Sequence, residues 1–210
     1  MEPGSLTLRS PSQVSDFRFP LSALPSPLFA FHLTVLVILA DGFEEIEALT
    51  PIDLLRRAGA EVTTASVGEG IHVTGRSGVT LHADVPLGAA AAREFDCVVL
   101  PGGPGVKSLR ADARVMEIVR RQHASGRWLA AICAAPTVLN DAGLLAGRRY
   151  TAHHSVAGEL PAILAGERAV ADGRLLTSRG AGTSLDFALL IIRMLFSPEK
   201  AAEIGASIDA

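Results

Sequence analysis

The chain predicts an α/β fold, a doubly wound and mostly parallel sheet with a small inserted β-hairpin, and three observations predict it. It is 49% apolar but only 5% aromatic, so Ala, Val, Leu and Ile must fill the core, as in sheets covered by helices on both faces. Short apolar runs alternate with helical stretches several times in order, which implies right-handed βα units and parallel strands. One glycine-bearing stretch, residues 72–85, breaks that alternation and reads as an antiparallel hairpin.

The first strand is the run LTVLVILA at 33–40, nearly continuous in apolar residues and stopped by Asp41 and Gly42. A helix follows in EEIEALTPIDLLRRAG, where Ile46, Leu49, Ile52, Leu54 and Leu55 recur near helical spacing. Its acids gather in the first turn and Arg56 and Arg57 in the last, Gly59 caps it, and Pro51 bends it or marks its register. Residues 61–67 read as a second strand, and after the hairpin the alternation resumes: strand 96–100, amphipathic helix 111–124, strand 127–132, helix 136–145. Short strands are expected at 150–152, 168–171 and 175–177. The stretch GTSLDFALLIIRMLF is apolar around most of its helical surface and should lie between the sheet and a last amphipathic helix at 198–208.

A length of 210 residues fits one domain, assigned to 32–210, with residues 1–31 as a disordered or loosely packed extension holding five prolines. The segment LFAFHLTVLVILA at 28–40 would suit the apolar part of a signal peptide. Its flank mixes Glu2 and Asp16 with Arg9 and Arg18, however, and cleavage after Ala40 would delete the first core strand. Organellar targeting by the extension is a weak alternative. A formal charge of −3 with interspersed signs leaves no footprint for nucleic acid or an anionic membrane and favours a small-molecule partner. Two cysteines cannot form a disulfide framework, so a cytoplasmic location is expected.

Cys133, in LAAICAAP, stands where an apolar strand turns into a helix. Reactive crevices of open α/β sheets lie beyond the carboxyl ends of the strands. Pro136 suits the first helical turn, Ala134 and Ala135 permit a tight bend, and the helix start favours a thiolate while its free amides can hold an oxyanion. Cys97, inside a strand before Val98 and Val99, reads as a buried structural thiol. The glycine turns 100–105 and 177–182 match neither dinucleotide nor P-loop spacing and read as crevice walls. Glu44, Glu45 and Glu47 start a helix at the same sheet edge, where acids are ordinarily surface residues; one of them can reach Cys133, provided the carboxyl holds the proton. Either of His153 and His154 could be a base near the thiol, but adjacent histidines point apart, so no metal site is assigned.

Four ordered motifs, LVILADG with EEIE at 36–47, VLPGG at 99–103, AAICAAP at 130–136 and TSRGAGTS at 177–184, resemble the DJ-one branch of the ThiJ/PfpI superfamily over residues 33–207. The resemblance implies a flavodoxin-like, class I glutamine amidotransferase-like fold and a homodimer. It implies a nucleophilic Cys133 hydrogen-bonded to Glu47, a pocket backbone of Gly102, Gly103 and Ala134, and His153 as the histidine. His154 stands where the family commonly has proline, and Arg57 and Arg76 match positions near the dimer interface or pocket entrance. Ala134 in place of a histidine, and no His-x-Glu after residue 140, separate the chain from protease-like and amidotransferase relatives. The implied activity is cofactor-independent detoxification of small α-oxoaldehydes or their thiol and amine adducts, of glyoxalase or deglycase type. The alternatives are a cysteine-based oxidative-stress sensor or redox-regulated chaperone, and a pocket that binds a metabolite without reacting.

Overall fold

The computed structural model describes residues 33–210, so the extension and targeting segment expected within residues 1–31 lie outside the described residues. The chain runs β1 (Thr34–Leu39), α1 (Glu45–Arg57), β2 (Glu61–Ser66), β3 (His72–Thr74), β4 (Thr80–His82), β5 (Val85–Pro86), α2 (Leu87–Ala90) and β6 (Cys97–Leu100). It continues through α3 (Val106–Ala111), α4 (Ala113–Ala124), β7 (Trp128–Ile132), α5 (Pro136–Asp141), β8 (Ala169–Asp172), β9 (Leu175–Ser178), α6 (Ser184–Leu195) and α7 (Pro198–Ala206).

Seven strands form one sheet in the order β5-β2-β1-β6-β7-β9-β8, parallel throughout except for β8 against β9. The strand period of two explains why β1 is apolar without a break. Val35, Val37 and Leu39 pack into one core with Leu54 and Leu55 of α1 and Phe187 and Ile191 of α6, while Leu36, Ile38 and Ala40 pack into the other with Ile118 of α4 and Leu139 of α5. The apolar α6 is covered by α1, α7 and β9. Among the described residues no helix is long and apolar enough to cross a membrane.

Helix α5 ends at Asp141 where the sequence suggests 145, other ends shift by a residue or two, and three larger departures have a local reason. The hairpin is only β3 with β4, His72 opposite His82. Val85 and Pro86 leave it to pair parallel with Ala65 and Ser66 as an edge of the main sheet, where a proline is tolerated. The expected helix 111–124 is preceded by a further one, because Asp112 is extended at φ −87°, ψ 114° and accepts the Arg114 N–H at 2.8 Å, ending α3 and capping α4. Asp112→Ala should cost about 1 kcal/mol, read from chemical denaturation; an unchanged midpoint would remove the cap from the account. Residues 150–152 form no strand, since the Thr151 N–H donates to the Thr177 side chain at 2.9 Å in place of a ladder partner.

Candidate active site

The parallel strands β1, β6, β7 and β9 are successive neighbours, so their carboxyl ends bring four turns together at one edge. Hydrogen bonds lace these turns. The Glu44 N–H donates to Gly102 O (3.0 Å), Gly105 N–H to Gly42 O (3.0 Å), and Gly42 N–H to Thr74 O of the hairpin (2.7 Å).

Cys133 follows β7 directly and adopts φ +65°, a left-handed conformation that costs an ordinary L-residue about 1–2 kcal/mol. The fold holds it there from two sides: the Cys133 N–H donates to Ser178 O at the end of β9, and its carbonyl accepts from the His153 N–H, both at 2.9 Å. Its side chain projects into a cavity of about 320 Å³ walled by Glu44, Glu47, Arg76, Gly103, Ala134 and His153, among others.

Glu47 reaches this cavity from α1, only 1% exposed, with its carboxylate accepting the Gly102 N–H at 2.9 Å and hydrogen-bonded to the Cys133 thiol. Burial pushes its pKa up to about 7, against the opposing pull of the thiol and of the Gly102 and Ala181 amides. Burial and the Glu47 charge push Cys133 up to about 12, while the Gly103 and Ala134 amides at the sulfur pull the other way. The expectation of a thiol eased into thiolate form by a helix start therefore changes. Helix α5 has only six residues, and desolvation outweighs it. Thiol and carboxyl are one coupled unit that carries a single negative charge above about pH 7, and the thiolate forms when Glu47 holds the remaining proton.

The structure brings together Cys133, Glu47, Gly102, Gly103 and Ala134. His153 lines the same cavity, but its ring Nδ1 lies 2.9 Å from the Ser155 hydroxyl and accepts the Ser155 N–H at 3.2 Å. Burial, and the neighbouring His154 and Arg179, hold this imidazole below its ordinary pKa, so it is neutral at pH 7. Arg76 sits at the cavity wall, ion-paired to Glu44 at 3.1 Å, whereas Arg57 pairs with Asp53 on the exposed side of α1 at 3.0 Å. Cys97 is fully buried in β6, its thiol pushed up by desolvation.

The acidic run divides its labour in a way sequence reasoning missed. Glu45 is buried and accepts the Ser77 N–H at 2.8 Å, fastening the hairpin to α1. Gly180 was also missed as a site residue. A Cβ there would stand 3.3 Å from the His153 ring, 3.6 Å from Glu47 Oε1 and 3.8 Å from Cys133 Sγ. Its signal was the glycine turn after β9, legible as a wall but not as the wall against the sulfur.

Gly102 is packed directly against the pair. A Cβ would fall 2.5 Å from both Cys133 Cβ and Glu47 Oε2. Gly102→Ala should lose about 1–3 kcal/mol by overpacking and about 10²-fold in turnover by displacing the pair. Wild-type kinetics in this variant would contradict the contact.

The DJ-1/PfpI family pattern matches residues 33–194, most of the chain. The chain belongs to the DJ-1/PfpI family. Protein dj-1beta of Drosophila melanogaster is 38% identical over 179 residues, covering 83% of this chain and 96% of that protein. Its crystal structure superposes with a TM-score of 0.80 over 84% of this chain and 97% of the other. Oxidized Toxoplasma gondii DJ-1 gives 0.80 at 37% identity over the same shares. A deglycase of Pyrococcus abyssi is 34% identical over 155 residues, 71% of this chain and 92% of the relative. The DJ-1/PfpI fold of these relatives is the α/β architecture described above.

Proposed function

We propose that this family member is a cofactor-independent cysteine enzyme converting small α-oxoaldehydes to hydroxy acids. The observation that carries the reading is Cys133 at φ +65°, its sulfur against the Glu47 carboxyl and the Gly103 and Ala134 amides inside a cavity sized for a small molecule. A relative named as a deglycase supports carbonyl chemistry.

With methylglyoxal the Cys133 sulfur adds to the aldehyde carbon, and the two amides hold the resulting oxyanion until Glu47 protonates it. Glu47 as carboxylate then removes the proton from that carbon and returns one to the adjacent carbon through an enediol. The hemithioacetal becomes a thioester with no external oxidant. Water hydrolyses the thioester, giving lactate and the free thiol. His153, at the wall of the same cavity, assists this proton movement in the proposed scheme.

The test is glutathione-free formation of lactate from methylglyoxal by the purified protein, with Cys133→Ala as control; equal rates in the two would sink the proposal. A second reading, a peroxide sensor, is favoured by one observation: two amides and a protonable carboxyl surround the sulfur, as a sulfinate requires. Mass spectrometry of Cys133 after graded peroxide, set beside the turnover number, separates them, since ready oxidation with negligible turnover favours the sensor. The proposal includes a homodimer, supported by exposed Ile46 and Leu49 on α1, and a reducing cytoplasmic setting, supported by two unpaired cysteines. Sedimentation analysis reads the former.

A further inference from the structure

A second cavity, about 380 Å³, adjoins the catalytic one and shares His153 and Ala181 with it. We propose that it is an anion subsite, and that the substrate is an α-oxoaldehyde bearing a carboxylate or phosphate at its far end. The inference rests on the carbonyl reading above for the reacting end of that substrate.

The walls hold two guanidinium groups, two imidazoles and a backbone turn, from Arg168, Arg179, His153, His154 and Gly180 to Thr183, with no carboxylate lining the space. The charges do not cancel. Arg168 is spent internally, donating to Asp186 at 2.8 and 3.2 Å and to Gly182 O at 2.8 Å, which fixes it as part of the wall. Arg179 is exposed, and its guanidinium has no ion-pair partner among the described residues, while its backbone N–H is anchored to Arg168 O at 3.3 Å. The His153 and His154 rings lie with centroids 4.1 Å apart. A positive guanidinium beside two imidazoles leaves a local excess of hydrogen-bond donors and positive charge, the requirement for an anion.

The turn that joins the cavities is built for close approach. Gly180 presents only backbone to the sulfur, and around Gly182 a Cβ would find nothing within 4 Å. The Gly180 N–H donates to Thr183 Oγ1 at 3.1 Å, and the Thr183 N–H to Gly180 O at 2.8 Å, so the turn is held rigid without using the outer space. Methylglyoxal alone would leave this adjoining cationic space empty. A carbonyl compound with an anionic tail occupies both, its aldehyde at Cys133 and its tail at Arg179. The chemistry is unchanged: the same internal proton transfer and the same water give a hydroxy acid that retains the tail.

The test compares kcat/KM for methylglyoxal, the neutral 2-oxohexanal, the carboxylate 4,5-dioxopentanoate and the phosphate ester 3-phosphooxy-2-oxopropanal, in wild type, Arg179→Met and Arg179→Lys. A tenfold or larger preference, about that of one charge-assisted contact, is expected for at least one anionic substrate, and the better of the two identifies the tail. Arg179→Met should erase it through KM while leaving methylglyoxal within about twofold, and Arg179→Lys should restore part. Equal use of 2-oxohexanal and both anions by wild type overturns the inference and leaves the carbonyl reading standing. If wild type turns over none of the four, the carbonyl reading fails and the subsite is read by titrating inorganic phosphate against the imidazole NMR signals of His153 and His154. A saturable shift lost in Arg179→Met supports the subsite, and no shift overturns it.

Discussion

Cys133→Ala should lower lactate formation at least about 10³-fold, because the bond-forming atom is gone and only oriented binding remains. Stability should hardly move. Alanine at φ +65° bears the same backbone strain as cysteine, and the backbone bonds to Ser178 and His153 persist. Cys133→Gly makes the sharper experiment: it relieves the left-handed penalty and should gain about 1 kcal/mol while being equally inactive. Loss of turnover with a raised denaturation midpoint is the signature of strain kept for chemistry. A glycine variant less stable than wild type would show that the conformation is not strained.

Glu47→Gln should reduce turnover about 10²–10⁴-fold, since the amide can accept the Gly102 N–H but cannot carry the proton. Its effect on stability has the opposite sign. The folded-state pKa of Glu47 is raised from the ordinary 4.5 to about 7, so between those values the native state binds more protons than the unfolded chain. Wild-type stability therefore falls as pH rises through the window from 4.5 to 7 and is lower by about 3 kcal/mol above it, at 1.36 kcal/mol per pH unit. Glutamine removes that slope, and at pH 8 the variant should be the more stable protein. Denaturation midpoints of both proteins across pH 5 to 8 check this; parallel curves would mean that Glu47 titrates as it does in water. In the same window wild-type turnover should rise through about pH 7 and then level off, because the pair must lose one of its two protons before a thiolate can form with Glu47 holding the other.

Much of the scaffold was legible because it is written in periodicity. Strand β1 reads as buried on both faces from its unbroken apolar run, and α6 as a covered helix from its apolar circumference. What was misread depends on a single contact. Asp112 splits a helix by capping the next one, and Thr151 gives its amide to a side chain 26 residues away, which no window of sequence displays. The acids of the EEIE run differ for the same reason. Composition makes Glu44, Glu45 and Glu47 equivalent, yet Glu44 pairs with Arg76, Glu45 with the hairpin amide of Ser77, and Glu47 with the sulfur. Only the resemblance to a family separated Glu47 from its neighbours before the fold was seen.

The sequence by itself determined the α/β class, the strand-to-helix turn that carries Cys133, and the glycine turns that end neighbouring strands, because these follow from local periodicity and backbone chemistry. Tertiary structure decided which turns meet, that Gly180 abuts the thiol, and that Arg179 faces a cavity continuous in its walls with the catalytic one. It also decided the direction of the Cys133 and Glu47 pKa values. Helix position alone favours a thiolate, but desolvation and a buried carboxyl depend on atoms brought from β1, β6, β7 and β9 to one edge of the sheet.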